Sequence, residues 1–179
     1  LHSAGALNTP GLQRLLQPLG DEQLLVRANG NWGTEDRPTD FAIGELADAA
    51  QREPDAIRNI LTFDGITPAE QKLVSLNSAF HHDALCVQVP RETAITRPIR
   101  LLHLLSVQPR QAVYPLTVIT VGQGSVLTLI DEYVSTDPSA SAARPGEPAG
   151  RAGEPHLLNS RIELVLEPNA RVHYVRLQR

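Results

Sequence analysis

His81-His82-Asp83, with Cys86 three residues on and His103 further along, is the densest group of side chains able to hold a metal ion. Imidazole, carboxylate and thiolate are ordinary ligands of zinc and iron. Their spacing matches no standard ligand motif, and adjacent histidines on a strand would point to opposite faces. A polar turn before a strand, with Cys86 packed as a small side chain, accounts for the same residues. The expectation is that His81, His82, Asp83, Cys86 and His103 assemble no metal site. Asp131-Glu132 and the pair Glu163/Glu167 offer the two carboxylates that glycoside cleavage requires. Nothing in their spacing holds two carboxyl groups across a substrate. Asp131-Glu132 are read as the end of a strand just before a polar segment, where acids are solvated. Aromatic residues, which carbohydrate clefts present, make up only 4% of the chain.

Other chemistry is harder still to find. Gly122-x-Gly124 lacks the third glycine and the following helix of a dinucleotide fingerprint and reads as a turn. No serine or cysteine sits in a nucleophile elbow, and no phosphate loop is present. Trp32, beside Asn29-Gly30-Asn31, reads as a docking anchor. These residues specify a scaffold and not an enzyme, with no catalytic, cofactor-binding or metal residue assigned. The alternative from another class is a β-helix enzyme acting on polysaccharide, a lyase or hydrolase. An aromatic-lined groove would favour it.

Bulk composition narrows the class. The chain has 179 residues, 41% hydrophobic and 20% charged, as expected of a globular protein with one core of ordinary size. A net charge of −4 gives no basic footprint, so nucleic acid is not an expected partner. Lys72 is the only lysine, which reads as composition bias. The single cysteine cannot form an internal disulfide, which points to a reducing compartment and the cytoplasm. No apolar run approaches the length of a membrane helix.

The elements follow from periodicity. Thr9-Pro10 starts a helix carrying Leu12, Leu15, Leu16 and Leu19 at helical spacing. Leu24-Leu25-Val26 reads as a short strand ending in a tight turn at Ala28-Asn29-Gly30-Asn31. From Asp40 or Phe41 a helix is expected, with Ile43, Leu46, Ala47, Ala50, Ile57, Ile60 and Leu61 as its apolar stripe and Pro54 dividing it in two. Thr67-Pro68-Ala69-Glu70 matches a capping box, with Leu73, Val74 and Leu76 as the buried face behind it. From Ala84 the period falls to two. Leu85, Val87 and Val89 alternate with Cys86 and Gln88. Ile99 to Val107 reads as an apolar run, as a strand buried on both faces would be.

The later segments resemble one another. Setting Gly124-Ser125 against Asn169-Ala170 aligns Ile119 with Leu164, Val121 with Leu166, Leu127 with Val172 and Leu129 with Tyr174. Val87, Val89 and Ile95 fall on Ile119, Val121 and Leu127 in the same way. Each unit is strand, turn, strand, and cannot bury its apolar face alone, so stacked coils of a solenoid are the natural reading. An antiparallel meander or cupin-like barrel would also alternate. Between the last two units, Ser135 to His156 contains no apolar residue larger than Ala and should be a mobile surface insert.

Four ordered stretches resemble the SufB/SufD family of iron–sulfur cluster assembly scaffolds. Leu76-Asn77-Ser78-Ala79-Phe80-His81-His82-Asp83-Ala84 resembles its junction segment, with Ala84 standing where the family has glycine and Val89-Pro90 closing the strand. Arg97-Pro98-Ile99-Arg100-Leu101 is similar to its Arg-Pro-Ile strand. Val121 to Tyr133 and Asn169 to Gln178 resemble the SufD form, through Leu129-Ile130-Asp131-Glu132-Tyr133 and Arg176-Leu177-Gln178. The resemblance implies a mainly β fold. A small α-helical N-terminal subdomain, residues 1–80, would lead into the first coils of a right-handed parallel β-helix, residues 81–179, with the insert at 135–156. It implies an N-terminal portion of a longer scaffold of the SUF system. The whole would act in a cytoplasmic complex with a SufB-like paralogue and a SufC-like ATPase. The residues tied to cluster formation belong to the family's C-terminal part, so no functional residue carries over and no cofactor is expected here. The alternation from Arg161 to Arg179 stops uncapped, which implies self-association through that end.

Overall fold

A computed structural model describes residues 10–17, 20–28, 31–33, 38–62, 67–81, 84–105, 112–135 and 157–178. Helix α1, Pro10–Leu16, opens the chain. Strands β1, Gln23–Ala28, and β2, Asn31–Gly33, then form an antiparallel pair with Arg27 opposite Trp32. Strand β3, Ala42–Glu45, runs into helices α2, Leu46–Arg52, and α3, Pro54–Ile60, separated at Pro54 as its missing N–H demands. Helix α4 spans Pro68–Phe80.

The helix expected from Asp40 or Phe41 therefore starts at Leu46. Ala42–Glu45 extend instead and pair antiparallel with β4, Ala84–Val89, from Ala42↔Gln88 to Glu45↔Leu85. Gly44 disfavours a helix, and the open edge of β4 offers backbone groups that a strand completes. The apolar stripe is split as a result. Ile43 joins the inner core, while Leu46, Ala49 and Ile57 form a separate cluster with Cys86, Leu116 and Val118. The described residues among 1–80 thus hold three strands as well as helices, where sequence alone suggested mainly helix.

The remaining strands are β5, Ile99–Leu105; β6, Ala112–Val113; β7, Leu116–Val121; β8, Val126–Ser135; β9, Leu157–Leu158; β10, Arg161–Leu166; and β11, Arg171–Gln178. The fold is mainly β. One sheet has the order β11-β8-β5-β1-β2, a second β10-β7-β4-β3, and a third joins β6 to β9. Neighbours are parallel throughout, apart from the β1–β2 and β3–β4 pairs. From β4 onward, successive described strands visit the second, first and third sheets in turn, so β4, β7 and β10 lie side by side and β5, β8 and β11 do likewise.

The register matches the sequence alignment residue for residue. Val87 faces Ile119 and Ile119 faces Leu164, while Val89, Val121 and Leu166 form the next row. Leu127 faces Val172 and Leu129 faces Tyr174. A bridge between Ala94 and Val126 puts Ile95 level with Leu127. Val87, Val89, Ile95, Ile119, Val121, Leu127 and Leu129, with Leu25, Leu85, Ile99 and Leu101, make one core between the large sheets, against which Leu164, Val172 and Tyr174 pack. The corners repeat too. Glu92, Gly124 and Asn169 all have positive φ, at +54°, +71° and +61°. The insert from Ser135 to His156 lies, beyond Ser135 itself, outside the described residues.

Helix α4 keeps its capping box. Glu70 N donates to Thr67 Oγ1 at 3.4 Å and Thr67 N to Glu70 Oε2 at 3.1 Å. Its buried face is not the expected one, because Leu73 is 55% exposed and Asn77 is the buried residue. Asn77 Nδ2 donates to the carbonyls of Pro115 at 3.2 Å and Asn159 at 2.7 Å. Asn159 Nδ2 returns a bond to Leu73 O at 2.8 Å, and Arg161 Nη1 donates to Ser78 Oγ at 2.8 Å. The helix docks on β7 and β10 by polar contacts that an apolar-stripe argument cannot see.

Candidate functional site, a buried ionic cluster

Side chains alternate across a strand. Leu25, Leu101, Leu127 and Leu129 point into the core between the sheets, so Arg27, His103, Asp131 and Tyr133 fall on the same face. Register sets Arg27 opposite His103, and His103 opposite Tyr133. The His103 and Tyr133 rings stack with centroids 4.2 Å apart and planes within 2°. Arg176 of β11 lies over Tyr133, its guanidinium carbon 4.7 Å from the ring centroid, as cation–π attraction favours. Asp131 joins three strands, since Oδ1 accepts from His103 Nε2 at 2.9 Å and Oδ2 from Tyr174 OH at 2.8 Å. Arg27 Nη1 crosses to the carbonyl of Leu116 at 3.2 Å and so ties one sheet to the other.

The outer face of the same strands carries a second group. Arg100 Nε and Nη2 both lie 2.8 Å from Glu132 Oε2, and Nη1 lies 3.5 Å from Glu22 Oε1. Nη1 also donates to Gln17 O at 3.1 Å, which anchors the segment after α1. Leu102, Leu104 and Val134 pack around this trio with Leu15 and Leu16 of α1. A guanidinium fork suits two carboxylates, and burial makes its absence costly.

The environment sets the protonation states. Burial pushes the His103 imidazole below its ordinary value, against the hydrogen bond and charge of Asp131, and Arg27 and Arg176 push the same way as burial. His103 is therefore neutral near pH 7 and donates from Nε2, and its Nδ1 has no hydrogen-bond partner among the described residues. Burial also raises the Tyr133 and Tyr174 phenols well above the ordinary tyrosine value, with Asp131 adding to the effect. Both remain protonated, and Tyr174 donates to Asp131. Burial raises the Cys86 thiol, so it is not a thiolate nucleophile.

The sequence candidates disperse. His81 ends α4, its Nδ1 3.1 Å from Asn77 O, and Cys86 packs under α2 and α3. His103 sits on the other large sheet, bound to Asp131. His82 and Asp83 lie outside the described residues. Among the described residues no group of three or more His, Cys, Asp and Glu side chains is placed to hold a metal ion. The solvated reading of Asp131-Glu132 is wrong. β8 runs on to Ser135, and both carboxylates are 0% exposed. As neighbours on a strand they face opposite ways, so they cannot flank one substrate. Glu163 pairs with Arg161 at 2.5 Å, and Glu167 Oε2 accepts from Gln123 N at 2.9 Å in the corner stack. Gly122-x-Gly124 is a turn, and Trp32 lies on β2. The cluster went unseen because its signal is weak. It consists of Arg100 inside an apolar run, and two acids inside a strand that continues past them.

Fold and cluster together define a mainly β protein of stacked parallel strands whose interior charges neutralise and orient one another. Residues 25–101, from β1 into β5, match the family model described as the SufBD protein N-terminal region. This match supports the SufB/SufD family and a role in iron–sulfur cluster assembly. It contains the junction segment at Leu76–Ala84 and the Arg97-Pro98-Ile99 strand. No curated protein matches the chain. No described helix is long and apolar enough to cross a membrane.

Proposed function

We propose that the chain is a scaffold component of the SUF iron–sulfur assembly system, SufD-like, and not itself an enzyme. The observation that carries this reading is the family match over residues 25–101. Leu129 to Tyr133 and Arg176 to Gln178 favour the SufD form, and both are sites of the buried cluster or its neighbours. The repeated passage of successive strands through three parallel-paired sheets supports a right-handed parallel β-helix over residues 81–179, with residues 1–80 as the preceding subdomain. The partners are a SufB-like paralogue and a SufC-like ATPase, in the cytoplasm. Iron and sulfide are cargo of such a complex, not a resident group of this chain.

Affinity capture of the protein from its own cells tests this. Co-purification of an ABC-type ATPase without membrane spans, together with a paralogous β protein, is the expected result. Recovery of neither, with the bait folded by circular dichroism, would overturn the assignment.

A further inference from the structure

Helices α2 and α3 leave a pocket of about 210 Å³ on the second sheet, at the side where β3 and β4 lie and opposite β10. Leu46 and Ile57 form its floor. Both are buried and pack with Cys86 and Val118 beneath, so the space lies outside the core and not within it. Small side chains make the room: Ala47 and Ala50 on α2, and Ala84 at the start of β4. Two polar side chains line the same space. Glu45 is exposed, and although it stands immediately before α2 its carboxylate makes no capping hydrogen bond. Among the described residues no ion pair engages it either. His81 Nδ1 lies 3.1 Å from Asn77 O. A carbonyl only accepts, so Nδ1 donates and Nε2 of the neutral ring is an acceptor. Both polar groups therefore accept, and an occupant must bring donors. The surrounding charge has the same sense. Residues 40–62 carry five acids, Asp40, Glu45, Asp48, Glu53 and Asp55, against Arg52 and Arg58, and Arg58 is already held by Asp55 at 3.0 Å.

We infer that this pocket is a docking site for a basic segment of a partner protein, which inserts one large apolar side chain and sets a neighbouring arginine or lysine against Glu45. The volume suits a single anchoring side chain, being below the roughly 300 Å³ at which sites for small molecules begin. Anchors of this kind, a bulky apolar group seated in a pocket, carry much of the affinity at protein interfaces. Charge complementarity fixes the sign of the partner, because an acidic segment would set like charges together at Glu45. Only the packing of α2, α3, β3 and β4 is involved, so the pocket is independent of any role in cluster assembly.

The test is a nuclear magnetic resonance titration of the whole chain, labelled with nitrogen-15, against three capped dipeptides. These are N-acetyl-Trp-Arg-amide, the same peptide with glutamate for arginine, and the same with glycine for tryptophan. The first is expected to shift the amides of Leu46, Ala47, Ala50, Ile57 and Leu61 saturably, and the other two to bind at least about fivefold more weakly. Ala47→Leu fills the pocket from an exposed position and should abolish those shifts, with circular dichroism and thermal unfolding as in the parent. Glu45→Gln should keep the tryptophan contact but bring the arginine and glutamate peptides within about twofold of each other. No saturable shift with the first peptide, equal binding of the arginine and glutamate forms to the parent, or a glycine form as tight as the tryptophan form would each overturn the proposal. So would concentration-dependent shifts of the same amides without peptide, which would make a second copy of the chain the occupant. None of these outcomes bears on the family assignment.

Discussion

Arg100 serves two carboxylates and a carbonyl while it is 1% exposed, and no lysine could fill the same fork. Arg100→Met leaves Glu22 and Glu132 buried beside an apolar side chain, which is expected to cost about 3–5 kcal/mol in urea unfolding. Adding Glu132→Leu to that variant should recover part of the loss, since the uncompensated charge is then removed. An additive double variant would show that the pair is not coupled. His103 sets the pH dependence. Its native value lies below the ordinary 6.5, so the unfolded chain binds a proton that the folded one resists. Stability contributed by neutral His103 is full above about pH 6.5 and falls as the pH drops towards the native value. His103→Gln, which keeps a donor for Asp131, should flatten the stability profile between neutral pH and mild acid. An unchanged slope would place the titration elsewhere.

Corners govern the elements. A Cβ on Gly122 would lie 2.6 Å from Arg91 N and 2.8 Å from the Pro90 carbonyl carbon, both backbone atoms that cannot swing aside. Gly122→Ala is expected to cost about 3 kcal/mol or more in thermal or denaturant unfolding. Glu92 holds φ of +54° at the position taken by Gly124 and Asn169 in the other two corners. Glu92→Gly relieves a left-handed backbone and should raise stability by about 0.5–1 kcal/mol, checked by the same measurement. A fall in stability would mean that the Glu92 side chain outweighs its strain. The corners were legible in advance, because Gly124-Ser125 and Asn169-Ala170 could be aligned by eye. The strand at Ala42–Glu45 was not. Its residues suit a helical stripe locally, and the decision came from the open edge of β4 more than thirty residues away.

Taken whole, the molecule is expected to bind neither zinc nor iron tightly. Among the described residues no three His, Cys, Asp or Glu side chains converge on one point. Elemental analysis of purified protein checks this, and a stoichiometric metal lost in Cys86→Ala and His81→Ala would refute it. The repeat, its register and its corners were readable from the chain because alternation and turn chemistry are properties of near neighbours. The family resemblance was readable for the same reason, through short runs such as Arg97-Pro98-Ile99. Burial of charge was not. Arg100 finds Glu132 at a separation of 32 residues, and Asp131 finds His103 at 28 and Tyr174 at 43. Only the stacking of strands brings such partners together and excludes water from them. The docking of α4 by Asn77 was decided the same way, by carbonyls of Pro115 and Asn159 that no local pattern places beneath a helix.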